Sequence, residues 1–337
     1  MTTNDSDLAA TLLRADPTAG RRGIVLGGGG VAGIAWEASL LTTMMGSGVD
    51  LSSADVVVGT SAGSVVGAAL RSGDLEGWLR SRLTPARAGS PAAAAAPAPS
   101  AAPFAAPAPA ASDSPESSAP RAAATEPTVP DIAPFVEAMA AASANRVGEQ
   151  ESRARLGELA RTVPSRTGDG AKDAALERFA ALLSSPDWPA TELRITAVDA
   201  LDGAFRVFNR SSHAELVRAV AASCAVPGVF PTVDVHGRPH MDGGVRSSTN
   251  ADVASDCERI LVISCGPEWA DSPLGPSLPV VAEALGASRN VLVIEADADS
   301  LRAFGPNSLL ASSTAPSVEA GMRQGATVAR RVRDFWG

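Results

Sequence analysis

Cationic side chains are scarce in this chain of 337 residues, which carries 28 lysine and arginine residues against 37 aspartate and glutamate residues. The formal net charge at pH 7 is therefore -9. A protein that binds nucleic acid, or that is drawn electrostatically to an anionic membrane, needs a basic field on its surface. We therefore expect no nucleic-acid partner and no electrostatic attraction to an anionic membrane.

Cysteine is also scarce, with only Cys224, Cys257 and Cys265 in the chain. Their number is odd, their spacing is not that of a metal site, and their neighbours are apolar or small, so we expect buried free thiols. Aspartate, glutamate and histidine residues show no ligand spacing either. The sequence thus predicts no metal and no cofactor.

Long hydrophobic runs are absent, because no stretch approaches the 18 apolar residues that indicate a transmembrane helix. The N-terminal segment is polar and acidic, without the cationic region and apolar stretch of a secretory signal. We therefore expect a cytoplasmic location.

Short apolar strands alternate with helical segments over most of the chain. In the first half, the pattern predicts strands at 24–26 and 56–58, each followed by a helix, at 31–45 and 62–70. In the second half, it predicts strands at 193–198, 204–208, 260–264 and 291–294, with helices at about 213–222 and 317–335. This alternation favours an α/β fold, namely a three-layer α/β/α sandwich with a mainly parallel central sheet.

Two segments differ from this pattern. Residues 84–130 are almost wholly alanine, proline and serine, which cannot bury enough side chain to offset the entropy of ordering, so a disordered linker is expected. Residues 131–186 return to helical periodicity, so we expect a helical insertion there, placed to cap the functional site of the domain. With residues 1–20 as a flexible arm, we expect one domain over residues 21–337, interrupted by these two segments.

The first candidate site is Ser61, in the sequence Gly-Thr-Ser-Ala-Gly directly after three valines. A serine in a G-x-S-x-G turn between a buried strand and a helix has its hydroxyl pushed out of the fold, toward substrate. Gly59 and Gly63 permit the turn because a Cβ at either position would collide with nearby backbone. Ser61 is therefore the predicted nucleophile.

The second candidate site is the glycine-rich loop from Gly28 to Gly33, between a strand and a helix. The amides of Gly28, Gly29 and Gly30 can point at a concentrated negative charge, which in acyl transfer is the tetrahedral oxyanion. The loop also fits G-x-G-x-x-G, so a nucleotide-binding or non-catalytic interaction protein remains an alternative. A dinucleotide-binding motif has an acidic residue at the end of the next strand, and this sequence has none there, which disfavours that alternative.

The third candidate site is Asp242, followed by Gly243 and Gly244. Because the two residues after the aspartate have no side chains, another loop can approach the carboxylate closely. Taken alone, Asp-Gly-Gly is a common turn, and only its combination with the other two sites points to chemistry.

The three motifs in this order resemble those of the patatin-like phospholipase family of lipid acyl hydrolases. The stretches Ala221–Pro231 and Asn250–Asp252 also fit, so the similarity covers about residues 22–83 and 190–265. The resemblance implies a catalytic dyad of Ser61 and Asp242, without histidine, and lipid or ester substrates that are met in transient contact with a membrane or a lipid aggregate. It implies phospholipase A, lysophospholipase or esterase activity through an acyl-enzyme.

One departure and one alternative accompany this resemblance. Many members carry arginine or lysine at the position of Ala32, so a cation near the glycine-rich loop is missing here. The alternative is an α/β-hydrolase esterase, in which Asp199 or Asp234 and His240 complete a triad. His240 and Asp242 lie two residues apart on an extended run, so they are expected on the same side, with His240 in a supporting role.

Overall fold

The structure is a computed structural model that describes residues 17–83, 132–144, 147–162, 170–268 and 271–337. The predicted linker at 84–130 lies outside the described residues, as does the predicted arm up to residue 16. Residues on both sides of the long gap belong to one compact unit.

A single eight-stranded sheet forms the centre of the described chain. Its strands are β1 (Thr18–Leu26), β2 (Val56–Gly59), β3 (Glu192–Asp199), β4 (Phe205–Phe208), β5 (Val233–Val235), β6 (Arg238–Asp242), β7 (Cys257–Ser264) and β8 (Asn290–Glu295). The order is β5-β6-β3-β2-β1-β7-β8, and β4 pairs with β3 outside this path. The pairs β3–β2, β2–β1, β1–β7 and β7–β8 are parallel, whereas β4, β5 and β6 are joined by antiparallel pairing.

Ten α-helices accompany this sheet in the described residues. They are α1 (Gly30–Gly46), α2 (Ala62–Arg71), α3 (Leu75–Arg82), α4 (Ala133–Ala144), α5 (Glu149–Thr162), α6 (Gly170–Leu182), α7 (Leu216–Ser223), α8 (Leu278–Gly286), α9 (Ala298–Phe304) and α10 (Thr314–Trp336). None of the helices in the described ranges is long and apolar enough to cross a membrane.

Alternate side chains of the central strands enter two different cores. Ile24 and Leu26 of β1 pack with α1, α2 and α10, whereas Val25 packs with α8 on the opposite face. The same alternation separates Val57 from Val56, because successive side chains of a strand point to opposite faces. The predicted α/β/α sandwich with a mainly parallel sheet is therefore confirmed.

Two boundaries differ from the sequence-based expectation. β1 begins at Thr18, because Thr18 already pairs with Cys257 of β7, so residues 18–20 belong to the sheet rather than to the arm. Helix α7 begins at Leu216 rather than at His213, because His213 adopts a left-handed conformation with φ of 57° and cannot continue a helix.

Candidate active site

Ser61 lies in a strained turn at the carboxyl end of β2. Its φ is 51°, a region that costs a non-glycine residue about 1–3 kcal/mol and is concentrated at functional sites. The strain is imposed by close packing: a Cβ built at Gly63 would lie 2.1 Å from the carbonyl oxygen of Leu26, and one at Gly59 would lie 2.5 Å from that of Gly63. The Ser61 N–H is held by the Ser223 hydroxyl at 2.8 Å. Both glycines therefore act as the sequence predicts.

Asp242 is the last residue of β6, where it pairs with Ala197 of β3. Its backbone N–H donates to the carbonyl of Ala225, and one carboxylate oxygen accepts from the Gly244 N–H at 2.7 Å. Gly243 is required because a Cβ there would lie 2.4 Å from the Thr196 hydroxyl. The carboxylate is thus fixed by the two glycines that follow it.

The structure brings the side chains of Ser61 and Asp242 together in a buried position. Only 8% of Ser61 and 5% of Asp242 is exposed. Burial raises the pKa of Asp242 to about 7, while hydrogen bonding from Ser61 and from the Gly244 N–H lowers it in part. A carboxylate with this pKa is a far better proton acceptor near neutral pH than an exposed aspartate.

The glycine-rich loop connects β1 to α1 beside Ser61, since β1 and β2 are parallel neighbours that end together. A Cβ at Gly28 would lie 3.4 Å from the Ser61 Cβ. The Gly28 N–H, however, donates to the Ser248 carbonyl at 2.7 Å. The expectation that Gly28 supplies an oxyanion amide is therefore wrong for this geometry, because that N–H already has an acceptor.

Other amides around this loop are available. Within the described residues, the backbone N–H groups of Gly29, Gly30 and Ala62 have no hydrogen-bond acceptor. Gly30 begins α1, where a helix N-terminus favours negative charge. The Ala62 amide is one that the sequence analysis missed, although it follows the predicted nucleophile directly.

Two positions of the glycine-rich loop must be glycine because the Cys265 side chain packs against them. A Cβ at Gly29 would lie 2.6 Å from the Cys265 sulfur, and one at Gly33 would lie 3.0 Å from it. The Gly33 N–H donates to the Gly29 carbonyl and so closes the turn. Gly33 thus holds the loop closed, and its supporting role in the site stays a prediction. The three cysteines are free, as expected, and Cys257 and Cys265 are buried.

The three histidines, all in the described part of the chain, form no hydrogen bond with Ser61 or Asp242. The His240 ring packs edge-on against Phe208, with its Nδ1 2.9 Å from the Arg238 carbonyl oxygen. His236 bonds to the Ser212 carbonyl in an exposed position. The His213 side chain has no hydrogen bond to any described residue.

The two acids of the alternative triad are also engaged elsewhere. Asp199 accepts a hydrogen bond from Arg238 and forms an ion pair with it. Asp234 accepts from the Gly237 N–H in the turn between β5 and β6. Neither acid hydrogen-bonds to His240 in the described structure.

An apolar cavity of about 180 Å³ opens at Ser61. Its walls come from α1, α6, α7 and the loop after α7, with Val31, Ile34, Phe179, Leu182, Val226 and Phe230 among the lining residues. Among the described residues, Arg178 is the one charged residue that lines it, and its guanidinium lies 5.9 Å from the centre of the Phe230 ring. A cavity of this composition has the size and the apolar character that suit a hydrocarbon chain beside Ser61.

The sequence analysis missed a buried polar cluster that adjoins Ser61 and Asp242. Thr60, Thr196 and Asn250 are fully buried and hydrogen-bonded to one another. The signal in the sequence was limited to the fit of Asn250 within a family-like stretch, which gave it no role. Its partners are up to 190 positions away, so spacing along the chain could not reveal them.

A family model described as patatin-like phospholipase matches residues 24–255 of this chain. Among solved structures, the chain is similar to VipD from Legionella pneumophila, with 11% identity and a TM-score of 0.41 over 94% of this chain and 68% of that one. It is also similar to the type III effector protein ExoU, with 16% identity and a TM-score of 0.33 over 92% of this chain. That match covers 54% of ExoU, so the chain spans about half of its length.

No curated protein matches the chain. The family model nevertheless covers more than half of it, and its range includes the glycine-rich loop, Ser61 and Asp242. The chain therefore belongs to the patatin-like phospholipase family.

Proposed function

We propose that the protein is a serine lipid acyl hydrolase that cleaves carboxylic esters with a dyad of Ser61 and Asp242. The observation that carries this proposal is the burial of Ser61 and Asp242, where burial raises the pKa of Asp242 to about 7 and hydrogen bonding from Ser61 lowers it in part. The apolar cavity that opens at Ser61 supports a substrate with an acyl chain.

The reaction begins when Asp242 accepts the hydroxyl proton and the Ser61 oxygen attacks the ester carbonyl carbon. The negative charge that develops on the carbonyl oxygen is stabilised by the free amides of Gly29, Gly30 and Ala62, and one such donor contributes about 3–4 kcal/mol to transition-state stabilisation. Asp242 then gives the proton to the leaving alcohol. Asp242 next takes a proton from a water that attacks the acyl-enzyme carbonyl carbon, and it returns that proton to the Ser61 oxygen as the bond to the acyl group breaks and the fatty acid is released.

Helix α6 is proposed to cap the acyl chain. Phe179 and Leu182 on this helix line the cavity, and Leu183 just beyond it is buried in the main core. This gives the segment 131–186 a role in substrate selection, with 84–130 as the linker that leads to it. Transient contact with a lipid aggregate, in the cytoplasm, belongs to the same proposal.

The decisive experiment measures hydrolysis of p-nitrophenyl esters of increasing acyl length, together with labelling by a fluorophosphonate. Ser61→Ala is expected to abolish hydrolysis and labelling. Ser72→Ala should leave both unchanged, because Ser72 is exposed at the opposite end of α2 from Ser61. Asp242→Asn is expected to lower kcat by at least ~10³-fold, whereas Asp234→Asn should retain activity.

Single replacement of the histidines by alanine separates the dyad from a triad. The dyad requires modest effects for all three, whereas a triad requires a loss of roughly 10⁴-fold for one of them. Full hydrolysis by Ser61→Ala would refute the proposed function.

A further inference from the structure

Asn250 ties together the two chain segments that carry the proposed dyad. Its side-chain nitrogen lies 2.7 Å from the Ser247 carbonyl oxygen, 3.1 Å from that of Gly243 and 3.2 Å from the Thr60 hydroxyl. Thr60 directly precedes Ser61, and Gly243 directly follows Asp242. One buried amide therefore contacts both neighbours of the dyad.

The same cluster extends to the strand that pairs with Asp242. The hydroxyls of Thr60 and Thr196 are 2.8 Å apart, and the Asn250 nitrogen is 3.4 Å from the Thr196 hydroxyl. Thr196 precedes Ala197, the register partner of Asp242 in β3. The residue after β2, the interior of β3 and the residue after β6 are thus connected beside the proposed dyad.

The orientation of the Asn250 amide is fixed by a charged neighbour. Its carbonyl oxygen accepts a hydrogen bond from Arg246 at 2.8 Å, and a guanidinium can only donate. Arg246 is in turn held by an ion pair with Asp252 at 2.7 Å. The amide nitrogen must therefore face Thr60 and Gly243, and it cannot rotate without losing the bond to Arg246.

The backbone at Asn250 supports the same arrangement. Its φ of 50° is left-handed, a conformation that asparagine tolerates better than most residues. The residue is fully buried, and it is not among the residues that line the apolar cavity. Asn250 therefore acts on the site only through its neighbours.

We propose that Asn250 is a positioning residue that sets the separation of Ser61 and Asp242. This inference rests on the proposed function, because it assumes that the two side chains form the reacting pair. Misplacement of reacting groups by about 1 Å can cost ~10²-fold in rate, so a large effect on turnover is expected.

The test compares Asn250→Gly with Gln324→Ala in the full chain. Glycine retains the left-handed backbone while removing the amide. Gln324 is a matched control, because its buried amide bonds to Ser300 and to the Glu295 carbonyl, away from the dyad. Both variants are expected to lower Tm.

Only Asn250→Gly is expected to lower kcat by ~10²-fold with little change in KM, whereas Gln324→Ala should stay within ~3-fold of the parent protein. The pH profile gives a readout that lost stability alone does not move. The hydrogen bond from Ser61 lowers the pKa of Asp242 in part, so a widened separation should raise that pKa and shift the acid limb of kcat/KM up by about one pH unit in Asn250→Gly.

Native turnover and a native acid limb in folded Asn250→Gly would overturn the proposal. If that variant does not fold, Thr60→Val decides, because it removes the hydroxyl that the Asn250 amide contacts next to Ser61 while keeping the side-chain volume. An intermediate loss of kcat with a raised acid limb supports the proposal, and native behaviour overturns it. Failure of the parent protein to react with a fluorophosphonate at Ser61 would instead refute the proposed function.

Discussion

Replacement of Asp242 by asparagine should make the folded protein more stable above neutral pH while it removes activity. The carboxyl of Asp242 has a pKa of about 7 in the folded chain against an ordinary value of 3.8. The folded state therefore binds the proton more tightly than the unfolded state does. The stability that Asp242 contributes is fully present below pH 3.8 and is lost as the pH rises through about 7.

The size of this effect follows from the two pKa values. A shift of about 3 units corresponds to about 4 kcal/mol of destabilisation once the pH exceeds the folded pKa. Between pH 5 and pH 8 the part that is lost amounts to about 2–3 kcal/mol, because the unfolded carboxyl is already largely ionised at pH 5. Asparagine has a similar shape and stays neutral, so this loss should be absent from Asp242→Asn.

The assay is urea unfolding of the parent protein and Asp242→Asn at pH 5 and at pH 8, with the free energy of unfolding extrapolated to water. Other titrating groups affect both proteins alike, so the quantity of interest is the difference between the two free energies at each pH. That difference should move by about 2–3 kcal/mol in favour of the variant as the pH rises. A difference that is the same at both pH values would show that Asp242 is not held in a buried, low-dielectric position.

Three further predictions concern the same site. The kcat/KM of the parent protein should fall about tenfold for each pH unit below about 7, because the reaction needs the ionised form of Asp242; a profile flat down to pH 5 would contradict this. Gly29→Ala should slow fluorophosphonate labelling at least ~10-fold, because its Cβ would lie 2.6 Å from the Cys265 sulfur and displace the loop; Gly46→Ala, where a Cβ meets nothing within 4 Å, is the control. Phe179→Ala should shift the preference toward longer acyl chains in the p-nitrophenyl ester series, because the variant enlarges the cavity; an unchanged preference would argue against an acyl-binding role.

Much of the site was predictable because its geometry is local. The glycines that permit the turn at Ser61 stand within two positions of it, at 59 and 63, so the motif shows them directly even though Gly63 makes its close approach to Leu26 of β1. The buried valines of β2 and the alternation of strands with helices likewise predicted the layered fold with its mainly parallel sheet. Short-range sterics and hydrophobic periodicity are properties that a sequence displays directly.

The tertiary structure alone decided which polar groups are free to act. The sequence gives no sign that the Gly28 amide bonds to the Ser248 carbonyl, 220 positions away, or that the Ala62 amide remains open. It also does not reveal that Asn250 reaches Thr60. Hydrogen-bond partners and desolvation depend on which distant segments the fold brings together, so the raised pKa of Asp242 is a property of the packed chain and not of its motif.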